Sequence, residues 1–224
     1  MSLWVKICAN TSLADAQLAA DAGADAVGFV FAPSPRQVSS EQVARITPHL
    51  PAGIEKIGVF VDAGCDAIAA AVERCGLTGV QLHSGSQDNG AAQLRARFGG
   101  SLRILRVIHF GNGAAEQLSA AAGDATIDGV LIDSRTATAV GGTGVAFDWQ
   151  LARATIFTGD SRLKLIAAGG LTPANVADAI ATLNPWGVDV ASGVESAPGK
   201  KDPIKVREFV AHARGTMLNA HGPQ

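Results

Sequence analysis

The feature that most constrains this chain is an eightfold alternation. Short apolar runs begin near Trp4, Ala26, Glu55, Gly79, Leu102, Asp128, Leu163 and Gly187. Alanine-rich helical segments lie between them: Leu13–Ala22, Ser40–Thr47, Cys65–Cys75, Ala91–Phe98, Ala114–Ala122, Asp148–Ala154, Pro173–Leu183 and Pro203–Arg214. The strand starts are spaced from 22 residues (Trp4 to Ala26) to 35 (Asp128 to Leu163). Strands that alternate with single helices can pair only in parallel, because each helix carries the chain back across the sheet. Eight such units predict an α/β fold, a single-domain (β/α)₈ TIM barrel over residues 1–224, with 215–224 as a frayed tail. An open doubly wound sheet is the alternative, but no Gly-x-Gly-x-x-Gly turn follows the first strand.

Local signals agree with this alternation. Ser12 or Thr11 is placed to cap the first helix and Gly23 to end it. Ser39 precedes the second helix, Thr172-Pro173 opens the seventh and Asp202-Pro203 the eighth. The stretch from Thr136 to Val145 reads as one long glycine-rich loop, of the kind that closes over a ligand.

Bulk properties narrow the class. Hydrophobic residues make up 47% of the 224 and charged residues 17%, which is a globular balance. A net charge of −2 offers no footprint for nucleic acid, and no apolar run is long enough to span a membrane. Cys8, Cys65 and Cys75 are odd in number and lack metal-ligand spacing. A reduced, cytoplasmic setting without metal or cofactor is expected.

Two clusters near the end point to a ligand. Ala168-Gly169-Gly170-Leu171-Thr172-Pro173 follows one apolar run, and Ala191-Ser192-Gly193-Val194-Glu195 follows the next. Gly169, Gly170 and Gly193 leave main-chain N–H groups unshielded, and Ser192 adds a hydroxyl. After strands 7 and 8 of a barrel, two such turns form a phosphate cup. The expected partner is therefore a small phosphorylated molecule, bound by a monomer or a homodimer.

Reactive side chains at strand ends come next, because the catalytic face of a barrel lies there. Cys8 ends strand 1 and, by alternation, shares a face with Trp4 and Lys6, leaving Val5 and Ile7 for the helix layer. Asp133 ends strand 6 on the face of Leu131 and Gly129. The cup lies between these two strands, so a phosphorylated ligand would meet a thiol on one side and a carboxyl on the other. That arrangement suits a general base opposite a general acid. Each residue also has a plain reading, the cysteine as packing and the aspartate as a cap. Lys6 and Asp189 both face inward on adjoining strands. They either pair as a buried salt bridge or serve the site, Lys6 favouring a thiolate and Asp189 contacting substrate. Arg36, in a loop stiffened by Pro33 and Pro35, is either solvated or aimed at a ligand carboxylate. His83 and His109 end strands 4 and 5 as ligand contacts or structural histidines. Cys65 and Cys75 read as packing, and His49, His212 and His221 as surface.

Taken together, the motifs resemble the phosphoribosylanthranilate isomerases. They are Val5-Lys6-Ile7-Cys8, the segment from Gly28 to Val38, Gly58-Val59-Phe60-Val61, Val80-Gln81-Leu82-His83, Leu131-Ile132-Asp133-Ser134, Gly142-Thr143-Gly144 with Phe147-Asp148-Trp149, Ala168-Gly169-Gly170-Leu171 and Ser192-Gly193-Val194-Glu195. The resemblance is collinear from strand 1 to helix 8. It implies a (β/α)₈ barrel of tryptophan biosynthesis that carries out a cofactor-free Amadori rearrangement of N-(5-phosphoribosyl)anthranilate. It also implies that Cys8 is the general base and Asp133 the general acid. The family usually carries glycine where Ala9 and Ser84 stand, and serine where Ala191 stands. Ala9 and Ser84 are thus expected to narrow the mouth. Other phosphate-binding barrels fit less well. Indole-glycerol-phosphate synthase calls for a lysine at the end of strand 2 or 3, and ribulose-phosphate epimerase for a metal-binding His/Asp set. A non-catalytic phosphate sensor would not require both Cys8 and Asp133.

Overall fold

The computed structural model describes residues 2–83, 90–133, 148–159 and 162–220. The expected Thr136–Val145 loop, Ser84, Phe147 and His221 lie outside the described residues.

Eight parallel strands close into a barrel in chain order. They are β1 (Trp4–Ile7), β2 (Ala26–Val30), β3 (Glu55–Val61), β4 (Gly79–His83), β5 (Arg103–His109), β6 (Gly129–Asp133), β7 (Lys164–Ala168) and β8 (Gly187–Val190). The helices between and after them are α1 (Leu13–Asp21), α2 (Ser40–Ile46), α3 (Cys65–Cys75), α4 (Gly90–Phe98), α5 (Ala114–Gly123), α6 (Trp149–Thr155), α7 (Val176–Leu183) and α8 (Pro203–Ala220). Closure is made by β1 against β8, with Trp4 opposite Gly187 and Lys6 opposite Asp189. Among the described residues no helix is long and apolar enough to cross a membrane.

The period-two pattern sorts the strands into two faces. Val5, Ile7, Val27, Phe29, Val80, Leu82, Ile104 and Ile132 are buried in the layer between barrel and helices. Trp4, Ala26, Ile57, Leu105, Val107, Leu131, Ile166 and Ala168 fill the barrel itself. Large side chains sit beside small ones there. A Cβ on Gly187 would come within 2.8 Å of the Trp4 carbonyl oxygen and 3.0 Å of its ring. Such interdigitation makes a solid interior rather than a pore.

The caps follow the sequence signals in most places. The Ser12 hydroxyl accepts from the Asp15 N–H at 3.1 Å, and Ser39 with Gln42 forms a reciprocal capping box on α2. Thr11 takes another role and donates to the Gly199 carbonyl at 2.6 Å. Asp202 caps α8 by accepting from the Ile204 and Lys205 N–H groups.

Two boundaries differ from expectation. α7 starts at Val176 rather than at Pro173. Asn175 accounts for this, since its Oδ1 accepts from the Thr172 N–H at 2.8 Å and its Nδ2 donates to the Gly170 carbonyl at 3.0 Å. Residues 172–175 are thereby held as a turn that belongs to the glycine cluster. At the other end, α8 runs on to Ala220 rather than ending at Arg214.

Beyond β8 the chain forms a short 3₁₀ turn over Ser192–Val194. A two-stranded hairpin follows, made of β9 (Glu195–Ala197) and β10 (Lys200–Lys201). No local sequence period announces this hairpin. It folds back toward the start of the chain, where Thr11 bonds Gly199 and the Asp15 carboxylate accepts the Lys201 N–H at 3.3 Å.

Candidate active site

The barrel order places β7 and β8 between β6 and β1, so Asp133 and Cys8 flank the two glycine-rich turns. Both residues are buried, Cys8 at 5% exposure and Asp133 at 2%. The Cys8 N–H donates to the Val190 carbonyl at 2.8 Å, which continues the β1–β8 ladder to the rim. Its Sγ lies over Gly28 of β2. A Cβ at Gly28 would be 2.6 Å from that sulfur and 2.9 Å from Cε of Lys6, so glycine is required beneath the thiol. Asp133 stands opposite His109 of β5 and Ala168 of β7 in the ladder.

The two glycine-rich turns lie against each other at the ends of β7 and β8. Gly169 and Gly170 are both left-handed, at φ 81° and 66°, a backbone that side chains with a Cβ rarely adopt. Gly193 packs directly on the other turn, where a Cβ would overlap the Leu171 carbonyl. Ser192 opens the 3₁₀ turn beside it. Contact between the two turns fixes the spacing of their N–H groups.

Lys6 is fully buried in the barrel. Its Nζ donates to Asp189 Oδ1 at 2.9 Å and to Gln81 Oε1 at 2.7 Å. The pair that strand alternation allowed is therefore present, and a Gln81 link from β4 spans the interior. Burial pulls the Lys6 ammonium down, but Asp189 and then Cys8 raise it further, so it is held as a cation. Burial pushes the Cys8 thiol above its ordinary value; Lys6, partly opposed by Asp189, and Lys201 reduce that rise without cancelling it.

The Arg36 fork is engaged within the protein. Its Nε donates to both Glu195 carboxylate oxygens, at 2.9 and 3.0 Å, and its Nη2 to Oε2 at 2.7 Å. Neither Nε nor Nη2 is thus left as a simple solvated donor. Nη1 takes no part in the Glu195 clasp. Glu195 was read only as the end of the Ser192 cluster. Its role depends on a contact across 159 residues that no local pattern announces.

His83 and His109 meet at the rim, with ring centroids 5.4 Å apart and planes tilted by 53°. Cys75 is buried, its Sγ 3.4 Å from the Ser40 carbonyl, and Cys65 packs against the helix-layer core. His212 is exposed, with Nδ1 2.7 Å from the Pro173 carbonyl. Ala9 has φ 62°, so its departure from the family glycine is a matter of backbone conformation as well as of space at the mouth.

Comparison with known proteins identifies the family. The family model described as N-(5'-phosphoribosyl)anthranilate (PRA) isomerase covers residues 5–212. An N-(5'-phosphoribosyl)anthranilate isomerase of Geotalea uraniireducens is 42% identical over 212 residues, covering 94% of this chain and 98% of the relative. The crystal structure of phosphoribosyl anthranilate isomerase from Thermotoga maritima superposes with a TM-score of 0.83 at 35% identity, covering 95% of this chain and 99% of that one. A second crystal structure of such an isomerase, in complex with reduced 1-(o-carboxyphenylamino)-1-deoxyribulose 5-phosphate, gives a TM-score of 0.79 at 33% identity, with coverage of 95% and 99%. This chain belongs to the N-(5'-phosphoribosyl)anthranilate isomerase family.

Proposed function

We propose that this protein catalyses the Amadori rearrangement of N-(5'-phosphoribosyl)anthranilate to 1-(2-carboxyphenylamino)-1-deoxyribulose 5-phosphate, a step of tryptophan biosynthesis. The observation that carries the reading is the placement of Cys8 and Asp133 on either side of the β7–β8 cup, within a chain of this family.

The substrate phosphate sits on the N–H groups of Gly169, Gly170 and Gly193 and on the Ser192 hydroxyl. That anchor presents the ribose between the two reactive side chains. Asp133, as the carboxylic acid, donates its proton to the furanose ring oxygen as the C1'–O bond breaks. The nitrogen lone pair forms the Schiff base. The Cys8 thiolate then removes the C2' proton, and the electrons move to the nitrogen to give an enolamine. That species tautomerises to the ketone. Arg36, His83 and Asp189 complete the substrate site, with Arg36 Nη1 directed to the anthranilate carboxylate. Each proton-transfer group contributes on the order of 10²–10⁴-fold. The chain acts on a small molecule, as a monomer or homodimer, in a reducing cytoplasm where its three thiols stay free.

The test is turnover of phosphoribosylanthranilate, followed as loss of anthranilate fluorescence. Conversion to the deoxyribulose product supports the reading. A folded protein that binds the product analogue but never converts substrate points to a phosphate-ligand sensor.

A further inference from the structure

Lys201 is a buried cation that the mechanism has not used. It lies on β10, at 2% exposure, with no side-chain surface open to water. Its Nζ donates to the Ala191 carbonyl at 3.2 Å and to Glu195 Oε1 at 3.4 Å. Those bonds occupy two of the three ammonium hydrogens. Ala191 follows Val190, whose carbonyl holds the Cys8 N–H. The hairpin therefore delivers a positive charge to the backbone on which the thiol is mounted.

The charges around Cys8 do not balance while it is a thiol. Lys6 on β1 is matched by Asp189 on β8 at 2.9 Å. Arg36, from the loop after β2, is matched by Glu195 through three close contacts. Among the described residues Lys201 reaches only the same, already claimed carboxylate, and at a longer distance. Asp15 on α1 accepts the Lys201 backbone N–H, not its ammonium. Lys205 on α8 donates to the Glu195 carbonyl and not to its carboxylate. Three cations and two carboxylates thus meet at this rim of the barrel, and of these Lys6, Asp189 and Lys201 act on the sulfur. A buried excess charge is costly: burial lowers the Lys201 ammonium, Glu195 and then Cys8 hold it up, and a thiolate neutralises the excess.

We propose that Lys201 is a positioning residue that stabilises the Cys8 thiolate, supplying the positive charge that Asp189 takes from Lys6. The inference rests on the reading of Cys8 as the general base. It also explains how the base resets. Once Cys8 has taken the substrate proton, the cluster again carries an excess positive charge, which favours release of that proton.

The experiment reads Cys8 directly, without turnover. The rate of alkylation by iodoacetamide is followed against pH, with the Cys8 peptide resolved by mass spectrometry from Cys65 and Cys75. Lys201→Met is expected to move the Cys8 titration upward by roughly one pH unit or more, making alkylation near neutrality about tenfold slower. Lys201→Arg restores the wild-type position. Glu195→Gln shifts it the opposite way, downward, because it removes the anion that competes for Lys201. The ascending limb of kcat/KM moves with the thiol in each variant. A folded Lys201→Met protein with an unmoved thiol titration overturns the proposal. So does a Glu195→Gln protein whose thiol titrates at or above the wild-type position, and this arm decides the matter if Lys201→Met does not fold. Loss of the base assignment is seen separately, as turnover retained by Cys8→Ala.

Discussion

Cys8 and Asp133 show how far residue identity reaches when it is combined with strand period. Asp133 ends β6 and Cys8 follows β1 by one residue, and each has an apolar neighbour that belongs to the opposite face: Ile132 before Asp133 and Ile7 before Cys8. Replacing Cys8 with alanine leaves a side chain small enough for the space over Gly28. The fold should therefore stand while kcat falls by roughly 10²-fold or more, measured by fluorescence turnover beside the unchanged circular dichroism spectrum. Asp133→Asn keeps the shape and loses the transferable proton. Its expected outcome is loss of kcat with the product analogue still bound, as read by calorimetry; parallel loss of both would assign Asp133 to structure. These two positions, and the Lys6–Asp189 pair, were legible because they depend on alternation within a strand and on strands 1 and 8 being neighbours. The partners of Arg36 and Lys201 were not. Both converge on Glu195, and that meeting depends on a hairpin returning across the barrel rim, which is a tertiary fact without a local period.

At the scale of elements, strands were read more accurately than helix ends. The apolar runs that begin near Leu102, Asp128 and Leu163 each start one residue later as strands, at Arg103, Gly129 and Lys164. Helix ends follow side-chain bonds that propensity does not encode. Asn175 is of a type that favours turns and helix starts over helix interiors, and its amide bonds to Thr172 and Gly170 hold back the start of α7 and brace the glycine turn. The Gly169-Gly170 pair and Gly193 were legible as a candidate anion site because each follows a strand whose end faces the barrel mouth. That the turns touch was not. The contact gives a prediction for the element: Gly193→Ala must push the Ser192 turn away from the Leu171 carbonyl. The expected result is a KM for substrate raised by tenfold or more, with inorganic phosphate losing its competitive inhibition. An alanine variant with wild-type KM would remove Gly193 from the phosphate site.

Over the whole molecule, polar groups cluster at both ends of the barrel and serve different ends. The floor, at the strand N-termini, pairs Arg103 with Glu55 through bonds of 2.6 and 2.9 Å, and Arg95 with Asp128 at 2.6 Å. Trp4 donates to Glu55 and stacks on Trp186, over which Lys164 lies at 4.6 Å. A cavity of about 410 Å³ opens among them. Conservative changes at the floor should weaken the fold and spare the chemistry, since the mouth lies at the other end. Glu55→Gln is expected to cost about 1–2 kcal/mol in denaturant unfolding, with kcat unchanged.

The rim carries the complementary dependence, on acid. Burial pushes the Glu195 carboxyl up, but the Arg36 bonds, Lys201 and the Gly199 N–H outweigh it, so its folded value lies below the ordinary carboxylate range. A depressed carboxylate contributes stability that is fully present above the unfolded value of about 4.3 and is lost as the pH falls through the folded one. Protonating Glu195 releases Arg36 and leaves Lys201 and Arg36 facing each other across a neutral side chain. Unfolding free energy should therefore drop steeply as the pH falls below about 4 in the wild type. Glu195→Gln lacks this proton-linked limb, so its stability is lower at neutral pH and its profile flatter in acid. Denaturant melts of both proteins across that range measure the difference. Superimposable slopes would mean that other carboxylates, and not the Glu195 clasp, govern the acid transition.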